Sequence, residues 1–277
     1  SRMKEFIYTS KKAGCSGIKF QLFKIDKLFA TEILEKSETH RKREAWELPE
    51  EFIPELAELT HKLGLKFSCT PFYLEAVDII EPYVDFLKVA SYELMWHDLF
   101  EKCGNTGKPI VFSTGMATMD EVKDTLECLF KTKCKEITIL HCNSAYPTPV
   151  EDVNLTKIQA LKEMVNSIEK PDQIIIKVGY SDHTVSPAVM YRTIHHYGVD
   201  LVEFHLDLDG KGEEYKAGHC WLPDKIAGVI KNINEGIKSD GQGEFGPSPS
   251  ELPDREWRAD PIDGLRPLKG IRNSFGD

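Results

Sequence analysis

Seven short apolar segments, each rich in β-branched residues, alternate along the 277-residue chain with amphipathic segments of helical period. The seven predicted strands are Gly17–Gln21, Leu65–Thr70, Phe86–Ala90, Ile110–Thr114, Ile137–Cys142, Ile174–Gly179 and Leu201–Leu206. The predicted helices include Glu50–Leu63, Asp120–Phe130, Leu155–Ser167, Pro187–Tyr197 and Pro223–Lys238. Because strands that alternate with helices form a parallel sheet covered by those helices, the order of segments predicts an α/β fold.

Two folds fit this alternation, the doubly wound sheet and the (β/α)8 TIM barrel. No Gly-x-Gly-x-x-Gly follows a predicted strand, so the phosphate-binding signature of dinucleotide-binding folds is absent from the sequence. A TIM barrel typically takes about 250 residues. We therefore predict a barrel over residues 1–240, followed by an irregular tail over residues 241–277 that packs on the barrel.

The strand count leaves the predicted barrel one strand short. Met3–Lys12 has the pattern of a helix and precedes the first predicted strand, so the sequence indicates seven strands and eight helices. We expect the first strand of the barrel to be missing, which exposes two sheet edges unless another segment or chain covers them. The long charged connection Leu22–Leu48 has the length of a lid or a partner-contact segment.

Charge and composition narrow the classes of function. The net charge is −10 and the Lys and Arg residues are scattered, which argues against nucleic acid as a partner. The sequence contains no run of about 18 apolar residues, so it predicts no membrane span. The seven cysteines include no Cys-x-x-Cys pair, so neither a disulfide framework nor a zinc knuckle is indicated, and a reducing cytoplasm is the expected location.

Polar and ionisable side chains follow every predicted strand, at the end where barrels carry their active sites. Two lysines with several hydroxyls suit a phosphate group. Two histidines on adjacent strands, with acids nearby, suit a divalent metal such as Mn²⁺. The residues concerned are Lys19, Gln21, Thr70, Lys88, Ser91, Glu93, Ser113, Ser144, Tyr146, Ser181, His183, Glu203 and His205.

Each of these residues also has a purely structural interpretation. A single lysine at a strand end commonly forms a salt bridge, a single histidine is commonly a core residue, and serine and threonine hydroxyls commonly bond to nearby backbone. As pairs on different strands, the lysines favour a phosphate and the histidines favour a metal. His219 and Cys220 follow a predicted turn and are weaker candidates for metal ligands.

Seven short motifs, each weakly specific alone, follow one another at the predicted strand ends. They are Lys19-Phe20-Gln21, Cys69-Thr70-Pro71-Phe72, Lys88-Val89-Ala90-Ser91-Tyr92-Glu93, Ser113-Thr114-Gly115-Met116, His141-Cys142-Asn143-Ser144-Ala145-Tyr146-Pro147, Tyr180-Ser181-Asp182-His183-Thr184 and Glu203-Phe204-His205. In this order they resemble the N-acetylneuraminate (sialic acid) synthase family, and the resemblance covers residues 11–240.

The resemblance implies an enzyme that condenses phosphoenolpyruvate with an N-acetylated amino-sugar aldehyde to give a nonulosonic (sialic) acid and phosphate. Its implied substrate-binding residues are Lys19, Gln21, Thr70, Lys88, Ser91, Ser113, Ser144, Tyr146 and Ser181. Its implied metal ligands are His183 and His205, which would hold Mn²⁺, or alternatively Mg²⁺ or Co²⁺. The implied candidates for moving a proton are Glu93, Glu203 and Glu214. The family resemblance also implies a homodimer.

The chain departs from the family pattern in two places. Family members begin with a strand that ends in a Glu-Ile-Gly-x-Asn-His-like motif, and many carry an antifreeze-like domain that donates an Arg to the partner's sugar site. Neither feature occurs in this sequence. The acceptor therefore stays open among N-acetylmannosamine, its 6-phosphate and a diacetamido bacterial sugar.

Three rival functions stay open from the sequence. The first is a Schiff-base aldolase that uses Lys19 or Lys88, which ranks lower because no lysine stands in an obviously desolvated pocket. The second is a degenerate barrel that binds a sugar or phosphate ligand without turnover. The third, a metal-dependent hydrolase, fits the histidine pair but explains the lysines and hydroxyls less well.

Overall fold

The computed structural model describes residues 1–275 and contains one parallel sheet. Its strands are β1 (Gly17–Leu22), β2 (Lys66–Pro71), β3 (Phe86–Val89), β4 (Ile110–Ser113), β5 (Glu136–Cys142), β6 (Ile175–Asp182), β7 (Val202–Leu206) and β8 (Cys220–Trp221). The strands are hydrogen-bonded in sequence order from β1 to β8, and every neighbouring pair is parallel. The predicted α/β fold with a parallel sheet is confirmed.

Helices follow most of the strands, as the periodicity predicts. The α-helices within residues 1–275 are α1 (Arg2–Ala13), α2 (Ile25–Leu28), α3 (Thr31–Lys36), α4 (Glu38–Arg41), α5 (Ile53–Lys62), α6 (Leu74–Ile80), α7 (His97–Asn105), α8 (Met119–Phe130), α9 (Thr156–Ser167), α10 (Pro187–Tyr191), α11 (Glu213–Ala217), α12 (Pro223–Ser239) and α13 (Lys269–Asn273). These are five more than the eight predicted helices, because the long connection after β1 folds into the three short helices α2, α3 and α4, and the short helices α11 and α13 were not predicted. A π-helical turn over Arg192–His196 continues α10.

The predicted count of seven strands is wrong. The eighth strand, β8, lies downstream of the others and pairs with β7, so that His205 stands opposite Cys220 and Leu206 opposite Trp221. Two residues are too short to show a hydrophobic period, which is why the sequence missed this strand. Upstream of β1 the chain forms the helix α1, and no pairing within residues 1–275 joins β8 to β1.

The core explains why these segments are strands. All four residues of β4 are buried, and in β2 only the first residue is exposed. Such near-continuous burial is typical of a parallel sheet that is covered on both faces. Phe67 and Phe112 are fully buried within one large apolar cluster that includes residues from helices α5 to α9.

The chain divides into two compact units, and each is described by itself. The first, Ser1–Glu235, contains the whole sheet. In the second, which begins at Gly236, the Asp260 carboxylate accepts hydrogen bonds from the backbone N–H groups of Ile262 and Lys269. The predicted packing of residues 241–277 on the barrel stays a prediction. No helix within residues 1–275 combines the length and the apolar character that a membrane crossing requires.

Candidate active site

Most of the predicted site residues lie in the C-terminal half of a strand or just beyond it, whereas Lys19 and Glu203 lie earlier in their strands and Glu214 lies on a helix. Parallel strands end at one edge of the sheet, so residues far apart in sequence are brought together there. They are Lys19 and Gln21 on β1, Thr70 on β2, Lys88 on β3, Ser91 and Glu93 in the turn after it, Ser113 on β4, Ser144 and Tyr146 after β5, Ser181 on β6, His183 after it, Glu203 and His205 on β7, and Glu214 on α11.

Glu203 lies at the centre of a charged network drawn from five strands. Ser181 Oγ donates a hydrogen bond to Glu203 Oε1 at 2.9 Å, and Lys88 Nζ lies 3.6 Å from the same oxygen. Lys19 Nζ lies 3.9 Å from Oε2, and Lys88 Nζ also donates to Ser113 Oγ at 2.7 Å. Burial alone would raise the pKa of Glu203, but the two lysines and a nearby imidazole lower it to about 2. The carboxylate is therefore ionised at neutral pH.

Lys88 is the most deeply buried cation of this network, with only 2% of its surface exposed. Burial lowers its pKa, while the carboxylate of Glu203 acts in the opposite direction. Its Nζ also donates to the backbone oxygen of Val89 at 2.9 Å. The sequence-based view that no lysine stands in a desolvated pocket is therefore wrong for Lys88, whose burial depends on contacts between distant strands.

Two hydroxyls meet at Gly115, to which the sequence analysis gave no role beyond its place in a motif. Ser91 Oγ accepts a hydrogen bond from the backbone N–H of Gly115 at 3.0 Å. A Cβ atom built on Gly115 would lie 2.0 Å from Ser144 Oγ and 2.8 Å from Ser91 Oγ, so only glycine leaves room for both hydroxyls. The buried thiol of Cys142 lies nearby, and burial raises its pKa although the hydroxyls of Ser91 and Ser181 act against this.

Several buried polar atoms of the site have no hydrogen-bond partner within residues 1–275. They are Thr70 Oγ1, Glu93 Oε2, Ser144 Oγ and His219 Nδ1. Native proteins rarely leave such atoms unsatisfied, so their concentration at one edge of the sheet marks a place for a polar ligand. Burial raises the pKa of Glu93 to about 7, although Lys88 acts against this, so the carboxyl exists in both protonation states near neutral pH.

The two predicted metal-binding histidines lie side by side. Their ring centroids are 5.2 Å apart. His183 Nδ1 donates to the backbone oxygen of Asn143 at 2.7 Å, which leaves Nε2 as the free ring nitrogen. Burial lowers the pKa of His183 to about 4, so the ring is neutral at pH 7. His205 Nδ1 lies 3.8 Å from Glu214 Oε2. A neutral imidazole fixed through one nitrogen suits a divalent metal at the other.

A third histidine, which the sequence ranked as a weaker candidate, joins this pair. The ring centroid of His219 lies 5.1 Å from that of His205, and Tyr146 packs beside it at 4.9 Å. Ligand atoms of His205, Glu214, His219 and Cys220 all lie within 4.8 Å of one another. The sequence underrated His219 and Cys220 because it gave no sign of β8, the strand that sets them beside β7.

Asp182, fully buried at the end of β6, organises the turn that follows. Its Oδ1 accepts from the Tyr180 hydroxyl at 3.2 Å and from Thr184 N and Oγ1 at 3.1 and 2.6 Å. Its Oδ2 accepts from Val185 N at 3.2 Å and from Trp221 Nε1 at 2.9 Å. Val185 has a φ of 54°, which a β-branched residue adopts only when its surroundings enforce it. The motif around Asp182 was recognised in the sequence, but its positioning role was missed.

Fold and site together define an α/β enzyme that gathers lysines, carboxylates, hydroxyls and imidazoles at the carboxyl edge of a parallel sheet. Residues 6–245 match the NeuB family, and the chain belongs to that family. The resemblance to sialic acid synthases inferred from the sequence is confirmed.

Similarity to individual proteins agrees with this assignment. The chain is 31% identical over 270 residues to the N,N'-diacetyllegionaminic acid synthase of Legionella pneumophila, covering 91% of this chain and 72% of that protein. It is 37% identical over 252 residues to an uncharacterized protein of Methanocaldococcus jannaschii, covering 90% of this chain and 70% of that one. The fold matches the N-acetylneuraminic acid synthetase of Leptospira borgpetersenii in complex with citrate, with a TM-score of 0.74 and 25% identity over 92% of this chain and 85% of that chain.

Proposed function

We propose that this protein condenses phosphoenolpyruvate with an N-acetylated amino-sugar aldehyde, with the assistance of a divalent metal, and releases a nonulosonic acid and phosphate. The observation that carries this proposal is the convergence of Lys19 and Lys88 on Glu203, together with the hydroxyls of Thr70 and Ser144, which have no hydrogen-bond partner among residues 1–275. Membership of the NeuB family supports it, as does the similarity to the N,N'-diacetyllegionaminic acid synthase of Legionella pneumophila.

Phosphoenolpyruvate would bind where the lysines and hydroxyls converge. Its phosphate and carboxylate are anionic and accept many hydrogen bonds, which the ammonium groups and the Ser and Thr hydroxyls would donate. Lys88 is preorganised for this task by its bonds to Val89 O and Ser113 Oγ. In a site this buried, fixed positive charge stabilises developing negative charge more strongly than it would in water.

His183 and His205 would hold the divalent ion, which we propose to be Mn²⁺, with Mg²⁺ or Co²⁺ as alternatives. The donor set fits, since His183 is neutral and keeps Nε2 free while its Nδ1 is fixed on Asn143 O. When bound, the ion supplies Lewis-acid polarisation of the aldehyde oxygen. Tyr146, whose ring centroid lies 4.3 Å from that of His183, would lie against the sugar side of this site.

The reaction forms one carbon–carbon bond and one carbon–oxygen bond from water, and it breaks the carbon–oxygen bond to phosphate. C3 of phosphoenolpyruvate attacks the aldehyde carbon, whose oxygen takes up a proton and becomes a hydroxyl. Water then adds to C2 and loses a proton, and the resulting tetrahedral centre expels phosphate with cleavage of the C2–O bond. Glu93 is the best placed of the three candidate carboxylates to move a proton near pH 7, because its pKa is about 7 while that of Glu203 is about 2.

The Schiff-base aldolase is the rival that the structure makes more serious, because Lys88 is buried and its pKa is lowered. The ionised carboxylate of Glu203 at 3.6 Å opposes this, since it favours the ammonium form of Lys88 over the neutral amine. Borohydride reduction in the presence of pyruvate separates the two mechanisms. A covalent adduct on Lys88 would support the aldolase, and its absence supports the condensation.

Phosphate release from phosphoenolpyruvate tests the proposal. The full chain is incubated with Mn²⁺ or with EDTA and a panel of N-acetylated aldoses that includes N-acetylmannosamine, its 6-phosphate and a diacetamido sugar. We expect release that requires both the metal and one sugar, which also identifies the acceptor. Binding of phosphoenolpyruvate without release, for every sugar, would instead indicate the degenerate barrel.

Three further assignments are proposals of the same kind. The likeness to the Leptospira synthetase supports a (β/α)8 barrel. The family resemblance supports a homodimer, with phosphoenolpyruvate and an amino sugar as its small-molecule partners. The free cysteines support a cytoplasmic location.

A further inference from the structure

We infer that His219, Glu214 and Cys220 join His205 in a metal site of mixed nitrogen, oxygen and sulfur ligands, which favours Co²⁺, named above as an alternative ion, over Mn²⁺ and Mg²⁺. The inference deepens the proposed function, because His205 is also one of the two histidines proposed above to hold the ion. It rests on the proposed function only where the ion's role in turnover is concerned. Binding of the ion itself requires neither substrate nor catalysis.

The geometry of the four side chains carries the first step. One ligand atom of each lies within 4.8 Å of all the others. Ligand atoms that are about 2.0–2.3 Å from a tetrahedral ion lie roughly 3.3–3.8 Å from one another. In the absence of substrate, the four atoms therefore need to approach by only about an ångström to enclose an ion.

The backbone fixes two of these ligands beside each other. Cys220 on β8 stands opposite His205 on β7 in a parallel ladder, where neighbouring strands are about 4.8 Å apart. His219 precedes Cys220 and follows Gly218, whose φ of 99° ends helix α11 in the left-handed conformation. Glu214 lies on that one-turn helix. The short strand and the glycine thus place all four side chains at the same edge of the sheet.

A second, independent observation is the state of His219. Its residue is only 5% exposed, yet its Nδ1 has no hydrogen-bond partner within residues 1–275. A buried ring nitrogen without a partner costs stability, and proteins rarely retain one unless a ligand satisfies it. Bound phosphoenolpyruvate would supply the missing hydrogen-bond partners of the Thr70 and Ser144 hydroxyls. The His219 imidazole lies instead beside a thiol, a carboxylate and a second imidazole, so a metal ion is the ligand that suits its unpartnered nitrogen.

The chemistry of the ligands decides which ion is favoured. Thiolate and imidazole ligands suit Zn²⁺ and Co²⁺, whereas Mn²⁺ and Mg²⁺ prefer carboxylate, carbonyl and water oxygens. A site of two imidazoles, one carboxylate and one thiolate should therefore bind Co²⁺ more tightly than Mn²⁺. The histidine pair His183 and His205 on its own gives no sulfur ligand, so a thiolate-to-cobalt absorption band distinguishes the two ligand sets.

Titration of the metal-stripped full chain with Co²⁺, in the absence of any substrate, tests the inference through absorption and calorimetry. We expect one Co²⁺ per chain and a thiolate-to-cobalt charge-transfer band in the near ultraviolet. Cys220→Ser should remove the band while binding persists, and His219→Asn should weaken Co²⁺ binding by at least about tenfold. The matched controls are Cys128→Ser on α8 and His195→Asn in the exposed π-helical turn, and both should leave the band and the affinity unchanged.

Absence of the band in the unmodified chain, or a His219→Asn variant that binds Co²⁺ as the unmodified chain does, would overturn the inference. Circular dichroism of each variant separates loss of ligand from loss of fold. The proposed reaction and the proposed metal site can be refuted independently. If no sugar gives phosphate but the cobalt spectra respond as expected, the proposed reaction is wrong and the site stands. If turnover requires a metal but Cys220→Ser keeps the band and His219→Asn binds Co²⁺ as tightly as the unmodified chain does, the site is wrong and the reaction stands.

Discussion

Replacement of Asp182 by Asn tests whether this buried carboxylate holds the turn that carries His183. Asp182 accepts five hydrogen bonds from four residues, and it joins β6 to the short strand β8 through Trp221. Asparagine has nearly the same shape but turns one acceptor oxygen into a donor. The substitution therefore changes the chemistry of the turn while leaving its volume almost unchanged.

The size of the effect follows from the two possible orientations of the new amide. With the NH₂ at the Oδ2 position, the N–H groups of Val185 and Trp221 lose their acceptor. With the NH₂ at the Oδ1 position, the backbone N–H of Thr184 loses its acceptor. A buried donor left unsatisfied costs about 1–3 kcal/mol, and the surviving bonds lose the advantage of a charged acceptor. We expect Asp182→Asn to lower the free energy of unfolding by about 3 kcal/mol.

Urea unfolding followed by circular dichroism measures this loss. The matched control is Asp200→Asn, because the Asp200 carboxylate accepts one hydrogen bond, from Val178 N at 3.1 Å, and the residue is exposed. The control should lower the free energy of unfolding by less than about 1 kcal/mol. A loss below about 1 kcal/mol for Asp182→Asn as well would refute the positioning role assigned to Asp182.

Three further predictions concern the site itself. Burial raises the pKa of Glu93 to about 7. The protonated Glu93 carboxyl therefore stabilises the fold fully below the ordinary carboxyl pKa, and this stabilisation is lost as the pH rises through 7. Glu93→Gln should accordingly gain stability relative to the unmodified chain between pH 5 and 8 in urea titrations. Gly115→Ala should displace Ser144 Oγ and weaken phosphoenolpyruvate binding by about tenfold or more in calorimetry, whereas Gly228→Ala, with no atom within 4 Å of the added Cβ, should be neutral or stabilise α12 by up to about 1 kcal/mol. Lys88→Met removes the buried cation and should abolish sugar-dependent phosphate release while costing about 3 kcal/mol of stability; release at the unmodified rate would contradict its role.

The sequence predicted most of the sheet because long buried strands leave a readable pattern. Ile110–Thr114 was predicted and Ile110–Ser113 is found, since each of these residues is buried and apolar or small. The two-residue strand β8 left no such pattern, and its existence depends on pairing with β7. Local sequence therefore specified the strands that are buried along most of their length, but not β8, which depends on its pairing with β7.

The candidate site was predictable as a set of residue types at strand ends, but not as an arrangement. The sequence paired Lys19 with Lys88, yet gave no indication that both converge on Glu203, because that contact joins β1, β3 and β7. The burial of Lys88 and the grouping of His219 with His205 are likewise products of packing between distant segments. A motif shows which groups are present, whereas distances and pKa values follow from the fold.

The fate of the bridging oxygen of phosphoenolpyruvate tests the proposed reaction most directly. Phosphoenolpyruvate labelled with ¹⁸O between C2 and phosphorus is incubated with the protein, the metal and the sugar that supports turnover, and the released phosphate is analysed by mass spectrometry. The account predicts that the phosphate carries the label, because the C2–O bond breaks after water adds to C2. Unlabelled phosphate would show cleavage at phosphorus, as in a hydrolase, and would contradict the condensation proposed for this site.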